Sequence, residues 1–225
     1  MPSSVTFGEL TVTWLRHDGF LLTGAGKTVV IDPYNVRPKR QVKADVAFVT
    51  HDHFDHCSLK DLEPFVDRER TAIVAAKNCS GALRDLKCRV KEFVEPGSFG
   101  EQAGVRYRAV PAYNVNKFRA PGVPFHPREY GGVGYVIELA GVRVYHAGDT
   151  DNVPELAQLK GVDVALLPVS GTYVMTAEEA AEAAKAIMPK LAIPMHFGEI
   201  VGTSRDAERF KSLAGVRVEI LEPEG

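Results

Sequence analysis

The 225 residues carry 27 lysines and arginines against 29 aspartates and glutamates, a formal charge of −2, with 45% apolar and 25% charged residues. That balance suits one globular domain over 1–225 with a sizeable core, and argues against a surface built to hold nucleic acid or a membrane. No apolar run is long enough for a membrane helix, Met1-Pro-Ser-Ser leads straight into strand-like sequence without a secretory leader, and three cysteines fit a reducing cytoplasm.

Short apolar, β-branched runs predict strands at 11–15, 20–23 and 28–32, with Gly24-Ala-Gly-Lys27 as the hairpin turn between the last two. A strand at 46–49 follows, then a polar run, then Ser58-Leu-Lys-Asp61, which has the spacing of a capping box and predicts a helix directly after it. Strands are expected at 71–76, 89–94 and 105–110, with a helix inside 78–86. Residues 111–132 are rich in proline, glycine and asparagine, and are long enough to be read as a functional loop or site wall. Strands at 134–139 and 142–146 form a hairpin around Ala140-Gly141.

The second half then repeats the first. Asp163-Val-Ala-Leu-Leu-Pro168 echoes Asp45-Val-Ala-Phe-Val-Thr50, an aspartate leading a buried strand into a polar loop. Thr176-Ala-Glu-Glu179 is a second capping box, opening an alanine-rich helix that Pro189 ends. A strand at 191–195, a helix at 203–213 and a strand at 216–221 complete the pattern. Strands with following helices in both halves imply two face-to-face sheets with helices outside.

The chemistry sits where the 46–49 strand ends, in His51-Asp52-His53-Phe54-Asp55-His56. Three histidines and two aspartates in six residues cannot be buried without compensation, and a divalent cation compensates imidazole and carboxylate together. Alternate residues His51 and His53 point one way, while Asp55 and His56 can turn to a second ion. Two further strand ends carry ligand types beside a glycine: His146-Ala-Gly-Asp149 and Pro194-Met-His196-Phe-Gly198. Asp32, also at a strand end, reads as a support for a ligand histidine or its loop, and His17 as a residue behind the ligands or in the core.

His51-Asp-His53-Phe-Asp55-His56, Gly148-Asp149-Thr150 and Pro194-Met-His196 together resemble the metallo-β-lactamase superfamily of metal-dependent hydrolases. Trp14-Leu-Arg-His17, Ile31-Asp-Pro33, Tyr145-His-Ala-Gly-Asp-Thr150 and Ala165-Leu-Leu-Pro168 resemble its small single-domain branch, which includes ascorbate-phosphate lactonase-like proteins. The resemblance implies an α+β fold, an αββα sandwich of two mixed sheets with a dinuclear site at one edge. It assigns His51 and His53 to one metal, Asp55, His56 and His196 to another, and Asp149 to both. Where this branch has a histidine after Val-Pro-Ala-x, the chain has Val110-Pro-Ala-Tyr-Asn114, which leaves Asn114, a water or His126 to complete the first site.

The cofactor expected is one or two divalent ions, zinc first, with manganese, nickel or iron as alternatives. Such ions bring a bound water near neutral pKa and supply hydroxide without a serine or cysteine nucleophile. Asp55 and His146 are the candidate catalytic residues, Asp55 to orient the nucleophile or pass a proton, His146 to protonate a leaving group or orient a neighbour. Lys117, Arg119 and Arg128 in the long loop, and Arg37-Pro-Lys39-Arg40, suggest an anionic small molecule, with Arg119, Arg128 and Tyr173 as its contacts. The reading is therefore hydrolysis of a small anionic lactone, thioester or phosphodiester, with homo-oligomerisation left open. A nucleotide- or nucleic-acid-directed phosphodiesterase is the second reading, and a non-catalytic metal-binding or sensor protein the third.

Overall fold

The structure, a computed structural model, describes residues 1–36 and 42–224. Its first sheet runs, in spatial order, β1 (Ser4–Phe7), β2 (Leu10–Arg16), β3 (Gly19–Gly24), β4 (Lys27–Ile31), β5 (Val46–Val49), β6 (Ala72–Ala76) and β7 (Val90–Val94). Pairing is antiparallel up to β4 and parallel beyond it. The second sheet contains β8 (Phe99–Gln102), β9 (Val105–Pro111), β12 (Val133–Leu139), β13 (Val142–His146), β14 (Val164–Pro168) and β15 (Leu191–Met195), ordered β15-β14-β13-β12-β9-β8. Strands β13 to β15 are parallel and the rest antiparallel. A small hairpin, β10 (Phe118–Ala120) and β11 (Val123–Pro124), interrupts the long loop that sequence left irregular.

The central parallel strands β5, β6, β14 and β15 are buried along their whole length, as Val-Ala-Phe-Val in β5 and Ala-Ile-Val-Ala-Ala in β6 require of strands covered on both faces. The two sheets meet in one apolar core. Phe48 of β5 packs on Tyr135 of β12 with ring centroids 4.8 Å apart, and Tyr135 donates its hydroxyl to the Val49 carbonyl at 3.0 Å. Truncating a ring buried like Phe48 typically costs about 3–5 kcal/mol.

Helices are few. α2 (Ala177–Ile187) buries an alanine face and closes the capping box at Thr176, and α3 (Ser204–Leu213) packs beside it over the second sheet. Over the first sheet lie α1 (Leu59–Leu62) and short 3-10 turns. The Ser58 box does not form. The Ser58 hydroxyl donates to Asp61 at 2.6 Å and caps no amide, so α1 is a single turn before Pro64 tightens the chain. The helix expected within 78–86 is a 3-10 turn over Lys77–Ser80 followed by loose turns. Gly81 weakens it, and Asn78 donates its side-chain amide to the Tyr130 carbonyl instead of capping. The strand expected at 216–221 shrinks to one bridge, Ala192 with Val218. Ala192 uses both its backbone groups there, and the next donor needed would be Pro194, which has no N–H.

The repeat seen in sequence is present in space. Before β5, Asp45 accepts the Thr28 amide at 2.8 Å and two Arg70 nitrogens at 2.8 and 3.0 Å. Before β14, Asp163 accepts the Arg143 amide at 2.9 Å and pairs with Lys190 at 2.8 Å. Each aspartate staples the starts of three parallel strands. The two hairpins of the repeat, turning through Ala25-Gly26 and Ala140-Gly141 with positive φ at both positions, touch at their tips. A Cβ on Gly24 would sit 2.8 Å from that of Ala140, so Gly24 has no room for a side chain.

Candidate metal centre

All the C-terminal ends of the central strands open at one edge, and there Thr50 leads β5 into the histidine loop. The loop is held from behind. Asp32, following β4 in left-handed backbone at φ 40°, accepts the Thr50 amide at 2.9 Å, the Thr50 hydroxyl, and His56 Nδ1–H at 2.9 Å. The hydrogen bond fixes the His56 tautomer and leaves Nε2 facing outward, the usual arrangement behind a metal-binding imidazole. The His56 and Cys57 amides close on the His53 carbonyl at 3.0 and 2.8 Å.

The first pocket is made of nitrogen. His51 Nε2 lies 3.1 Å and His126 Nε2 3.2 Å from His53 Nδ1. His126 comes from the long loop, 73 residues after His53, and is only 3% exposed. Asn114 is not part of this pocket; it stands behind it. Its Oδ1 accepts both the amide and the Nδ1–H of His126 at 2.9 Å, and its Nδ2 donates to Asp151 at 3.1 Å and to the Tyr173 carbonyl at 2.8 Å. Every polar group of Asn114 is thus engaged, which corrects its reading as a ligand. The amide supports the histidine that occupies the place expected of it.

The second pocket is rich in oxygen. Asp149 Oδ1 lies 3.3 Å from His56 Nε2 and 3.4 Å from His196 Nε2, and its Oδ2 is 3.4 Å from His126 Nε2. One carboxylate therefore faces both pockets. Asp55 Oδ2 is 3.8 Å from His56 Nε2 and 3.2 Å from His17 Nε2. Donor atoms of His17, Asp55, His56 and His196 lie within 4.8 Å of one another, as do those of Asp18, His56, Asp149 and His196, and those of His51, His53 and His126.

These residues fit divalent ions on their own evidence. His56 Nε2, His196 Nε2 and Asp149 Oδ1 are buried and have no hydrogen-bond partner among the described residues, although they converge on one point. Four ligands held tetrahedrally at about 2.1 Å stand roughly 3.4 Å apart, close to the separations seen here. Unpaired buried polar atoms at that spacing are what a cation would satisfy.

Electrostatics divide the pockets. Burial, aided by the His56 charge, holds His51 well below the ordinary histidine value, and burial likewise lowers His126 against the pull of Asp149. In the second pocket burial alone would lower His56 and His196, but Asp149 outweighs it. His56 ends well above its usual value, with help from Asp32 and Asp55, and His196 is raised to about 9, with help from Asp18. Burial would raise Asp55, yet the His17 hydrogen bond and the His56 charge bring it to about 2. Burial lowers His17 itself to about 4.

Three residues here hold positive φ without being glycine: His17 at 49°, Asp32 at 40° and His196 at 59°. Such backbone costs of order 1–3 kcal/mol per residue and persists where the surroundings over-determine it. For His17 the surroundings are plain. Its carbonyl accepts Trp14 Nε1 at 2.8 Å and the His196 amide at 3.3 Å, and a Cβ on Gly19 would meet the Arg16 carbonyl at 2.9 Å.

Other sequence candidates fall elsewhere. His146 is fully buried, its Nε2 donating to the Asp18 carbonyl at 2.9 Å and its Nδ1 accepting the Gly148 amide at 3.2 Å. Both ring nitrogens are bound to backbone, so His146 orients the 17–19 turn and has no free nitrogen for acid catalysis. Arg128 is paired with Glu155 at 2.7 Å and donates to the Tyr113 hydroxyl at 2.7 Å, and Lys117 is paired with Glu179 at 2.6 Å. Lys117 and Arg128 are therefore neutralised from α2 and the 154–158 turn, by acids that lie far off in sequence. Arg119 is exposed on β10, and the Tyr173 ring packs on Phe125 with centroids 4.7 Å apart while its backbone serves Asn114. Arg37-Pro-Lys39-Arg40 lies outside the described residues. Sequence reading passed over Asp18, Ser170 (Oγ 3.0 Å from His196 Nδ1) and Tyr130, whose hydroxyl donates to Asp52. The signal for Asp18 was present in Arg16-His17-Asp18-Gly19, a carboxylate at a turn entering the same edge.

A model of the β-lactamase superfamily domain matches residues 11–196, most of the chain. A UPF0173 metal-dependent hydrolase of Thermoplasma acidophilum is 34% identical, over 96% of this chain and 96% of its own. Another of that designation from Methanoculleus marisnigri is 33% identical over 95% and 94%. Among solved structures, a protein described as a metal-dependent hydrolase from Parabacteroides distasonis superposes with a TM-score of 0.84 at 30% identity, covering all of both chains. Fold, site residues and these likenesses agree: the chain belongs to the β-lactamase superfamily and is one of its metal-dependent hydrolases.

Proposed function

We propose that the protein hydrolyses a small ester-like molecule, a lactone, thioester or phosphodiester, at a two-ion centre. The observation that carries this reading is Asp149, whose two carboxylate oxygens face two separate nitrogen clusters. His51, His53 and His126 would hold one ion, His56, His196 and Asp55 the other, with Asp149 between them. When bound, divalent ions there would supply Lewis acidity toward a carbonyl or phosphoryl oxygen and bring the pKa of water toward neutrality. Zinc suits the nitrogen-rich pocket.

Asp55 is partly exposed, unlike Asp149, and is held ionised by His17 Nε2–H. It can accept a hydrogen bond from water at the mouth and so orient it, and His17 keeps the accepting oxygen in place. Partly exposed Asp55 and His53 beside a buried donor set favour turnover over a purely structural ion site. An anionic substrate now rests on Arg119, since Arg128 and Lys117 have acid partners. The test is a panel of lactones, thioesters and phosphodiesters offered to chelated protein before and after zinc is restored. Metal-dependent turnover of one class is expected; full zinc occupancy with no turnover across the panel would point to a binding protein.

A further inference from the structure

Asp18 belongs to neither ligand set of the proposed two-ion centre. Its side chain is wholly buried, yet neither carboxylate oxygen has a hydrogen-bond partner among the described residues. His56 Nδ1 is 3.7 Å away and already donates to Asp32 at 2.9 Å. Buried carboxylates without donors are rare, because nothing then replaces the water they have lost. The backbone that presents it is tightly clamped: the Asp18 carbonyl takes His146 Nε2–H, and the preceding His17 is fixed in left-handed conformation. A clamped turn therefore holds a bare carboxylate within 4.8 Å of donor atoms of His56, Asp149 and His196.

We infer that Asp18 is a further ligand of the second pocket, which makes that pocket a carboxylate-rich site suited to a harder ion than its histidine-lined neighbour. With Asp18, Asp55 and Asp149 around two imidazoles, the second pocket offers oxygen where the first offers nitrogen. Oxygen donors narrow the advantage that zinc holds over manganese(II), because carboxylate suits manganese while imidazole favours zinc. The two pockets then hold different preferences although they share Asp149, and one chain can carry a mixed pair of ions. This rests on the two-ion reading above, but its readout is metal affinity, so it stands or falls separately from any hydrolytic activity.

The experiment uses the full chain, stripped with chelator and titrated with zinc or manganese(II), with bound metal counted and manganese followed by its electron paramagnetic resonance. His126→Ala removes a ligand of the first pocket and isolates the second. In that background the zinc-to-manganese affinity ratio is expected to be at least tenfold smaller than for the first pocket, isolated by His196→Ala. Asp18→Asn, which keeps the shape and removes the charge, should weaken manganese at the second pocket at least tenfold and zinc at the first less than twofold. Equal ratios in the two pockets of otherwise unaltered protein would overturn the inference, and this comparison holds even where Asp18→Asn fails to fold. A folded Asp18→Asn protein with manganese affinity within twofold of the parent would also overturn it.

Discussion

The two pockets that meet at Asp149 are built from opposite materials. One gathers His51, His53 and His126, and burial keeps His51 and His126 neutral; the other sets His56 and His196 among carboxylates that keep them cationic. The first is ready for a cation as it stands, whereas the second must release protons before it can accept one. A carboxylate that faces both pockets therefore does not make them equivalent; the surroundings of each imidazole decide its affinity and its pH dependence.

The harshest way to break the comparison is to remove what the pockets share. Asp149→Ala should empty both and reduce any turnover by on the order of a thousandfold, beyond the roughly 10–100-fold typical of residues behind the ligands. Metal analysis with single-turnover assays checks this, and retention of both ions would remove Asp149 from the bridge.

A smaller effect should separate the pockets by pH. His196 is raised to about 9 in the metal-free protein, so below that pH an incoming ion must displace its proton, and His56 adds a second. Affinity at the second pocket should rise about tenfold per pH unit for the His196 proton up to about pH 9, and more steeply where the His56 proton is also released. His51 and His126 lie below their usual value, so the first pocket should change little from neutrality upward. Chelator competition at pH 6, 7 and 8 reads both slopes, and parallel slopes would show that the pockets are electrostatically alike.

Asn114→Ala should act on one pocket only. Losing the Oδ1 that holds His126 in place should weaken the first ion about 10–100-fold and leave the second unchanged, read by metal counting during dialysis. Asn114→His should not add affinity, since His126 already stands in the place proposed for that ligand. The smallest expected change belongs to Arg128→Ala. With the guanidinium already paired to Glu155, KM for an anionic substrate should shift less than about threefold, within what an exposed ion pair contributes.

Much of this was readable because it was local. His51, His53, Asp55 and His56 sit in one loop, and a buried strand followed by polar residues leaves their direction little choice. Asp149 and His196 could be found because each ends a strand beside a glycine, and Asp32 because it ends another. What was not local was readable only as alternatives. His126 reaches His53 across 73 residues and a loop with no periodic signal, so sequence offers it only beside Asn114 and a water, and Asn114 could be judged only once its four side-chain hydrogen bonds were seen. The basic loop residues looked uncompensated because their acids, Glu155 and Glu179, lie some 27 and 62 positions beyond Arg128 and Lys117. The same applies to the last strand: its own sequence is extended enough, but Pro194 in its neighbour denies it a ladder.

The twin aspartate staples have a consequence for the metal-free protein. Asp45 and Asp163 set strand register at the ends opposite the metal loops, and neither depends on anything at the metal edge. Burial alone would raise the Asp45 carboxyl, but the Arg70 hydrogen bonds, the Thr28 amide and Lys27 together hold it below the usual carboxylate value. Its contribution is therefore complete above the unfolded aspartate pKa near 3.9 and fades as acid titrates the folded form below it. Chelation should accordingly leave a cooperatively folded scaffold at neutral pH. Amide exchange should stay slow in β5 and β14 after the ions are gone and quicken only around residues 51–56, so that the ions occupy a mould that exists before they arrive.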